Sequence, residues 1–211
     1  MKHELFASDK QQIKNFSFSD KNQILAGKII ARYPQGRAGS ALMPLLDLAQ
    51  RQNGDWLPKA AIRYVANFLD VPETKAFEVA TFYSMFRLTP RGKFLVQVCR
   101  TTPCWLRGSD TILDACTKCL EIRVGETTKD DLFTLVEVEC LGACVNAPVV
   151  QINDSYYEDL THEKLVSIIE SLKAAKEPIA GSQAPNQQFQ GYGEKVKDAG
   201  PFGGEDVTRQ G

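Results

Sequence analysis

The hydrophobic positions along this chain change period once, near Lys93. Residues 1–18 are polar and carry no period, which predicts an arm. From Ser19 and Asp20 the pattern turns helical. Ile24, Leu25, Ile29, Ile30 and Tyr33 fall on one face, and Pro34-Gln-Gly36 stops the run. A second helix is predicted from about Ser40, with Leu42, Leu45, Leu46 and Ala49 as its stripe and Gly54 as its stop. Pro58 suits the first turn of a third, which turns Ile62, Val65, Ala66 and Leu69 inward. Asp70-Val-Pro72 restarts a fourth, through Phe77, Ala80, Thr81 and Phe82 to Met85. Residues 20–87 therefore read as four short helices joined by turns marked with Pro and Gly.

Beyond Lys93 strands begin. Phe94 to Val98 reads as a buried strand that delivers Cys99 at its end. Ser109 or Asp110 can cap a helix through Leu120, with Ile112, Leu113, Cys116, Cys119 and Leu120 on one face. Leu132 to Glu139 is a second strand and ends at Cys140. Pro148 to Ile152 and Tyr156 to Glu158 form a hairpin about the turn Asn153-Asp154-Ser155. A last helix opens at Thr161 and points Leu165, Ile168, Ile169 and Leu172 inward. This order, strand, helix, strand, hairpin, helix, predicts a small α/β unit with a mixed sheet. After Lys176 the pattern stops. Residues 177–211 hold seven of the fifteen glycines and no apolar period, which predicts an extended or disordered tail.

Charge adds little to this picture. The formal net charge of −1 over 211 residues gives no field that would call for nucleic acid. No apolar run approaches the roughly 20 residues that span a bilayer, so direct membrane insertion is not expected. The N-terminus lacks an apolar signal core and carries Glu4 and Asp9 early, which argues against a targeting peptide. The expected compartment is a reducing one, where six cysteines read as metal ligands or buried thiols.

The cysteines carry the chemistry. Cys99-Arg-Thr-Thr-Pro-Cys104 and Cys140-Leu-Gly-Ala-Cys144 each close a short loop at a strand end. Two such loops supply four sulfurs, and four thiolates around one point need positive charge between them. An iron–sulfur cluster and a structural zinc both answer that description. With a [2Fe–2S] cluster the site is a dianion that becomes a trianion on reduction, so its potential is low unless amides and solvent compensate. Gly142 lets the second loop curl its amides toward sulfur. Arg100 and Arg107 are candidates for added positive charge, and Trp105-Leu106 is expected to cover one side of the site. Cys116-Thr-Lys-Cys119 competes as a thiol–disulfide pair, but it sits near the end of a helix on the apolar stripe, not at a helix N-terminus. Buried, inert thiols are the expectation there. No glycine-rich loop follows a strand and opens a helix, so no dinucleotide cradle is read. His3 and His162 are isolated.

Longer words then carry a resemblance. Cys-Arg-Thr-Thr-Pro-Cys-Trp-Leu-Arg from Cys99, Val-Gly-Glu-Thr-Thr-Lys-Asp-Asp-Leu-Phe-Thr-Leu from Val124, and Val-Glu-Cys-Leu-Gly-Ala-Cys-Val-Asn-Ala-Pro from Val138 closely resemble the thioredoxin-like [2Fe–2S] subunit of respiratory complex I (NADH:quinone oxidoreductase). Tyr33-Pro-Gln-Gly36, Leu48-Ala-Gln50 and Glu78-Val-Ala-Thr-Phe-Tyr83 look like the family's helical N-terminal part. The resemblance covers about 20–176. It departs at Asp55, which interrupts the family's usual Gly-Trp-Leu, at Cys116 and Cys119, which are not family ligands, and in the tail.

The resemblance implies Cys99, Cys104, Cys140 and Cys144 as ligands of one [2Fe–2S] cluster. It implies single-electron exchange with FMN, the FMN and NADH being bound by a partner subunit and not by this chain. The partners implied are that flavin- and NADH-binding subunit and the adjacent large iron–sulfur subunit. The chain would then be part of an NADH dehydrogenase without holding a complete active site. It would lie at the cytoplasmic side of a bacterial inner membrane, or at the matrix side of the mitochondrial one. The same module in an NAD-linked hydrogenase or formate dehydrogenase, and a zinc-stapled interaction module, are the alternatives. The expected fold class is α+β: a polar arm and helical bundle at 1–91, a thioredoxin-like α/β [2Fe–2S] domain at 92–176 and the tail at 177–211.

Overall fold

The computed structural model describes residues 5–184. Those residues form an α+β protein with two compact units, one of residues up to 95 with 125–134, the other of 96–124 with 135 onward.

The first unit holds α1 (Asp20–Ile30), α2 (Leu42–Gln52), α3 (Lys59–Phe68) and α4 (Glu73–Phe82). Helix α2 is central. Leu42, Leu45, Leu46, Leu48 and Ala49 are all buried, and α1 and α3 pack against it. A helix apolar on most of its circumference needs neighbours on most sides. The face of α1 is narrower than its pattern predicts. Asn22, Ala26 and Ile29 are buried, whereas Ile24 is 65% exposed. Asn22 takes the inward place because its amide donates to Gln52 Oε1 at 2.8 Å, which satisfies it away from water. Helix α4 stops at Phe82 and not at Met85, because Tyr83 is extended; Phe82 is left 80% exposed. Pro58 and Pro72 stand just before α3 and α4, at their N-caps.

The arm is not a free polar segment over its described part. Phe16 and Phe18 meet Tyr64 edge-on at 5.5 and 5.2 Å, and Phe6 meets Phe77 at 5.9 Å. Three aromatics without period escape a periodicity test but still bury area. Asp55 also finds a defined place. It sits at φ 64°, its N–H donates to Gln50 O at 2.9 Å, and its carboxylate pairs with Arg91 at 2.8 Å. Asp tolerates the left-handed region better than most residues.

Gly92 marks a close approach in this unit. A methyl there would lie 2.7–2.9 Å from the backbone of Leu132 and Phe133. Gly92→Ala is expected to cost about 3 kcal/mol, since neither side can yield without moving main chain. Equilibrium denaturation in urea measures it.

The sheet has the order β2-β1-β3-β4-β5, with β1 (Phe94–Cys99), β2 (Phe133–Val138), β3 (Val150–Ile152), β4 (Ser155–Glu158) and β5 (Gly181–Ser182). It is mixed: β1 and β3 pair antiparallel, as do β3 and β4, and β4 and β5 pair parallel. In the second unit, α6 (Ser109–Leu120) packs on α7 (His162–Lys173) through Ile112, Ala115, Cys116 and Leu120 and through Leu165, Ile168, Ile169 and Leu172. Two local readings change. Gly108, at φ 92°, precedes α6 in the cap position, and Ser109 is its buried first residue. A short helix α5 (Thr102–Leu106), with Pro103 in its first turn, fills what reads as a loop. The expected tail begins with a tethered piece. Strand β5 pairs with Tyr157 and Glu158, and the Ser182 hydroxyl donates to Asp159 at 2.5 Å. The rest of the expected tail, from 185, lies outside the described residues.

Candidate metal centre

The strands bring two thiol-bearing loops together. Cys99 is the last residue of β1, and its N–H donates to Val149 O at 3.2 Å. Five residues on, Cys104 sits inside α5. Cys140 follows β2 by two residues, and Cys144 opens a 3-10 turn (Cys144–Asn146) against which α5 packs. Cys99 and Cys104 are buried with Ala147 and Val149, and Leu141, Ala143 and Tyr156 close over them. Cys140 and Cys144 are exposed. The centre thus has an apolar inner wall and a wet outer rim.

The thiols lie as two pairs. Cys140 Sγ and Cys144 Sγ are 3.3 Å apart. Cys99 and Cys104 lie together in one buried cluster, and charge on Cys99 bears on Cys104, Cys140 and Cys144 alike. Among the described residues no group of three His, Cys, Asp or Glu is drawn tightly enough to hold one ion.

Each sulfur has donors aimed at it. Gly142, at φ 86°, turns its N–H to Cys140 Sγ at 3.4 Å. The Thr101 hydroxyl lies 3.4 Å from Cys99 Sγ. Burial raises the Cys99 thiol, but Thr101 through its hydroxyl and N–H, and Leu141 through its N–H, outweigh this and hold it below its ordinary value. The Gly142 N–H first, then Cys144 and Thr101, lower Cys140 as well. Burial pushes Cys104 up to about 11, helped by the hydrogen it shares with Cys99. Cys144 is raised chiefly by the hydrogen it shares with Cys140. One thiol of each pair is therefore eased toward thiolate while its neighbour keeps a proton. Closing all four round one group needs cations to replace those protons. The donor set is sulfur alone, with amides around it, which suits an iron–sulfur cluster.

Other expected residues fall elsewhere. Trp105 and Leu106, expected to cover one side of the site, are 55% and 71% exposed on α5 beside Cys104. A helix this short has too little buried face to turn all its apolar residues inward. Arg100 is paired with Asp110 at 2.5 Å and with Glu137 at 2.9 Å, so its charge is already balanced. Arg107 Nε donates to Ala147 O at 3.4 Å. Cys116 is fully buried on α6, and burial pushes its thiol up to about 12. Such a thiol is a poor nucleophile. The double variant Cys116→Ala, Cys119→Ala is expected to keep its full iron content per chain, measured by metal analysis against the parent. Sequence reasoning missed Thr101 and Leu141 as donors to sulfur. The only signal for them was their position inside the two loops.

A mixed sheet whose loops present four thiols is the build of a small thiolate metalloprotein. The chain belongs to the thioredoxin-like [2Fe–2S] ferredoxin family, whose model matches residues 26–173. It is 62% identical over 162 residues to an NADH-quinone oxidoreductase subunit of Rickettsia bellii, covering 77% of this chain and 97% of that one. It is 48% identical over 183 residues to the mitochondrial NADH dehydrogenase [ubiquinone] flavoprotein 2 of Dictyostelium discoideum, covering 87% and 74% respectively. Its fold is similar to part of an NAD+-reducing [NiFe]-hydrogenase, with a TM-score of 0.54 at 21% identity over 62% of this chain and 23% of that one.

Proposed function

We propose that this chain is an electron-transfer subunit of an NADH:quinone oxidoreductase, respiratory complex I, with one [2Fe–2S] cluster on Cys99, Cys104, Cys140 and Cys144. One observation carries the reading: four thiols brought together by two loops, Cys140 and Cys144 at 3.3 Å and Cys99 and Cys104 in one buried cluster, in a chain 62% identical to a bacterial protein named as a subunit of NADH-quinone oxidoreductase. One pair would hold each iron. The cluster, when bound, supplies a site that takes and gives one electron. The chain's own residues hold it, bias it through amides and a hydroxyl, and shield its inner side with Ala147, Val149 and Tyr156.

The FMN and NADH belong to a partner subunit, and the large iron–sulfur subunit lies next to it. Trp105, Leu106 and Val145 support a docking face. They are 55%, 71% and 95% exposed, and they stand on two elements that pack together and carry Cys104 and Cys144. An apolar rim around exposed thiols excludes water on contact and shortens the electron's path into the partner. The division into 1–91, 92–176 and 177–211 assigns the middle part to the cluster and the outer parts to docking. No helix among the described residues is long and apolar enough to cross a membrane. The reading places the chain at the membrane through its partners, on the cytoplasmic side in a bacterium or on the matrix side in a mitochondrion.

Purification of the tagged full chain from its own cells tests this. The expected result is a flavin- and NADH-binding subunit, a large iron–sulfur subunit and quinone reduction by NADH in the same fraction. Hydrogenase or formate dehydrogenase subunits in their place would move the module to that enzyme. A chain recovered alone with stoichiometric zinc would remove the redox reading.

A further inference from the structure

The residue before α5 is placed where a threonine normally caps a helix. Thr101 occupies the N-cap position with φ −74° and ψ 165°, yet its side chain makes no capping hydrogen bond. A threonine there usually bonds an N–H of the first turn, and losing that bond destabilises a helix. Here the hydroxyl is turned the other way. Its Oγ1 lies 3.4 Å from Cys99 Sγ. One half-buried hydroxyl therefore faces the sulfur at the end of β1, at the expense of the helix that follows it.

We propose that the Thr101 hydroxyl donates to the Cys99 thiolate of the cluster and raises the reduction potential of the centre, an inference that rests on the [2Fe–2S] reading above. Between a thiol and a hydroxyl either group can donate. A thiolate bound to iron has no proton, so there the hydroxyl must donate. Reduction adds one electron and no proton, and no bond is made or broken; the added charge spreads onto sulfur. A donor already aimed at sulfur stabilises the more negative state more than the oxidised one. The other donors to these sulfurs are the main-chain N–H groups of Thr101, Leu141, Gly142, Cys144 and Val149. Thr101 is the side-chain donor in the set, so it is the position at which substitution can retune the centre without rebuilding a loop.

The test is a redox titration of the full-length protein, loaded with iron and sulfide and followed by its EPR signal. Thr101→Val keeps the branched shape and removes the donor. It is expected to leave about tenfold less reduced cluster at a fixed ambient potential, a downward shift of about 59 mV for one electron. Thr101→Ser keeps the donor and is expected to titrate with the parent. A Thr101→Val midpoint equal to the parent's, in protein that shows the parent's cluster spectrum, would overturn the proposal and leave the electron-transfer reading standing. Should the valine variant not load, Thr101→Ala gives the same readout. Loss of the cluster in both, with serine intact, would mean that the hydroxyl holds the loops and does not set the potential, and would also overturn it. A parent protein without a [2Fe–2S] spectrum would remove the underlying reading, and this one with it.

Discussion

Cys99→Ala is expected to abolish cluster binding: iron and acid-labile sulfide fall to background and the visible absorption disappears. Cys99 is 1% exposed and ends β1, so its sulfur is fixed by the strand. Alanine leaves one iron a ligand short against an apolar wall of Ala147, Val149 and Tyr156, where no solvent oxygen can take the place. Cys104, also 1% exposed, is expected to behave the same way. The outer pair differs. Cys140 and Cys144 face solvent, so Cys140→Ser or Cys144→Ser leaves a hydroxyl that water can help to deprotonate. Those variants are expected to retain some iron with a shifted spectrum, while Cys99→Ser and Cys104→Ser retain none. Equal loss at all four positions would contradict this asymmetry. Loss of the metal also removes folding free energy, on the order of several kcal/mol, because metal binding and folding are linked. Hydrogen exchange in apoprotein is therefore expected to rise in 92–176 more than in the four helices. Equal rises in both would count against it.

The triple change Trp105→Asp, Leu106→Asp and Val145→Asp is expected to detach the chain from its partner by at least about a hundredfold in affinity. Buried tryptophans are common anchors at interfaces, and losing one typically costs about 2 kcal/mol or more. A carboxylate left in a dry contact adds a desolvation penalty. All three side chains are exposed in this chain, so the changes cost the protein itself little. Its own cluster spectrum is expected to stay that of the parent. Pull-down with the flavin-binding subunit measures the affinity. Undiminished binding would move the docking face elsewhere, for example to the exposed Phe82, Tyr83 and Met85 at the end of α4.

How far the sequence reaches depends on whether period or place decides. Helices α2 and α3 were legible because their apolar residues recur at helical spacing and are buried there. The strands were legible because short apolar runs end at cysteines; β1 closes on Cys99 as its pattern suggests. The aromatic packing of the arm was not legible, since Phe6, Phe16 and Phe18 have no period and find their partners only in three dimensions. Strand β5 was hidden for a similar reason. Gly181 and Ser182 have low strand preference, and pairing with Tyr157 and Glu158 decides their conformation. Thr101 was invisible because its hydroxyl is defined by what it gives up at α5 and by the sulfur it turns to instead, neither of which spacing contains.

The central claim is that four cysteines hold a one-electron [2Fe–2S] centre. Its most direct test is the absorption and low-temperature EPR spectrum of the anaerobically purified full chain, before and after dithionite. The account predicts visible bands that bleach on reduction, together with a rhombic spin-half signal of about one spin per chain. A colourless, EPR-silent protein with one zinc per chain, unchanged after reconstitution with iron and sulfide, would contradict it.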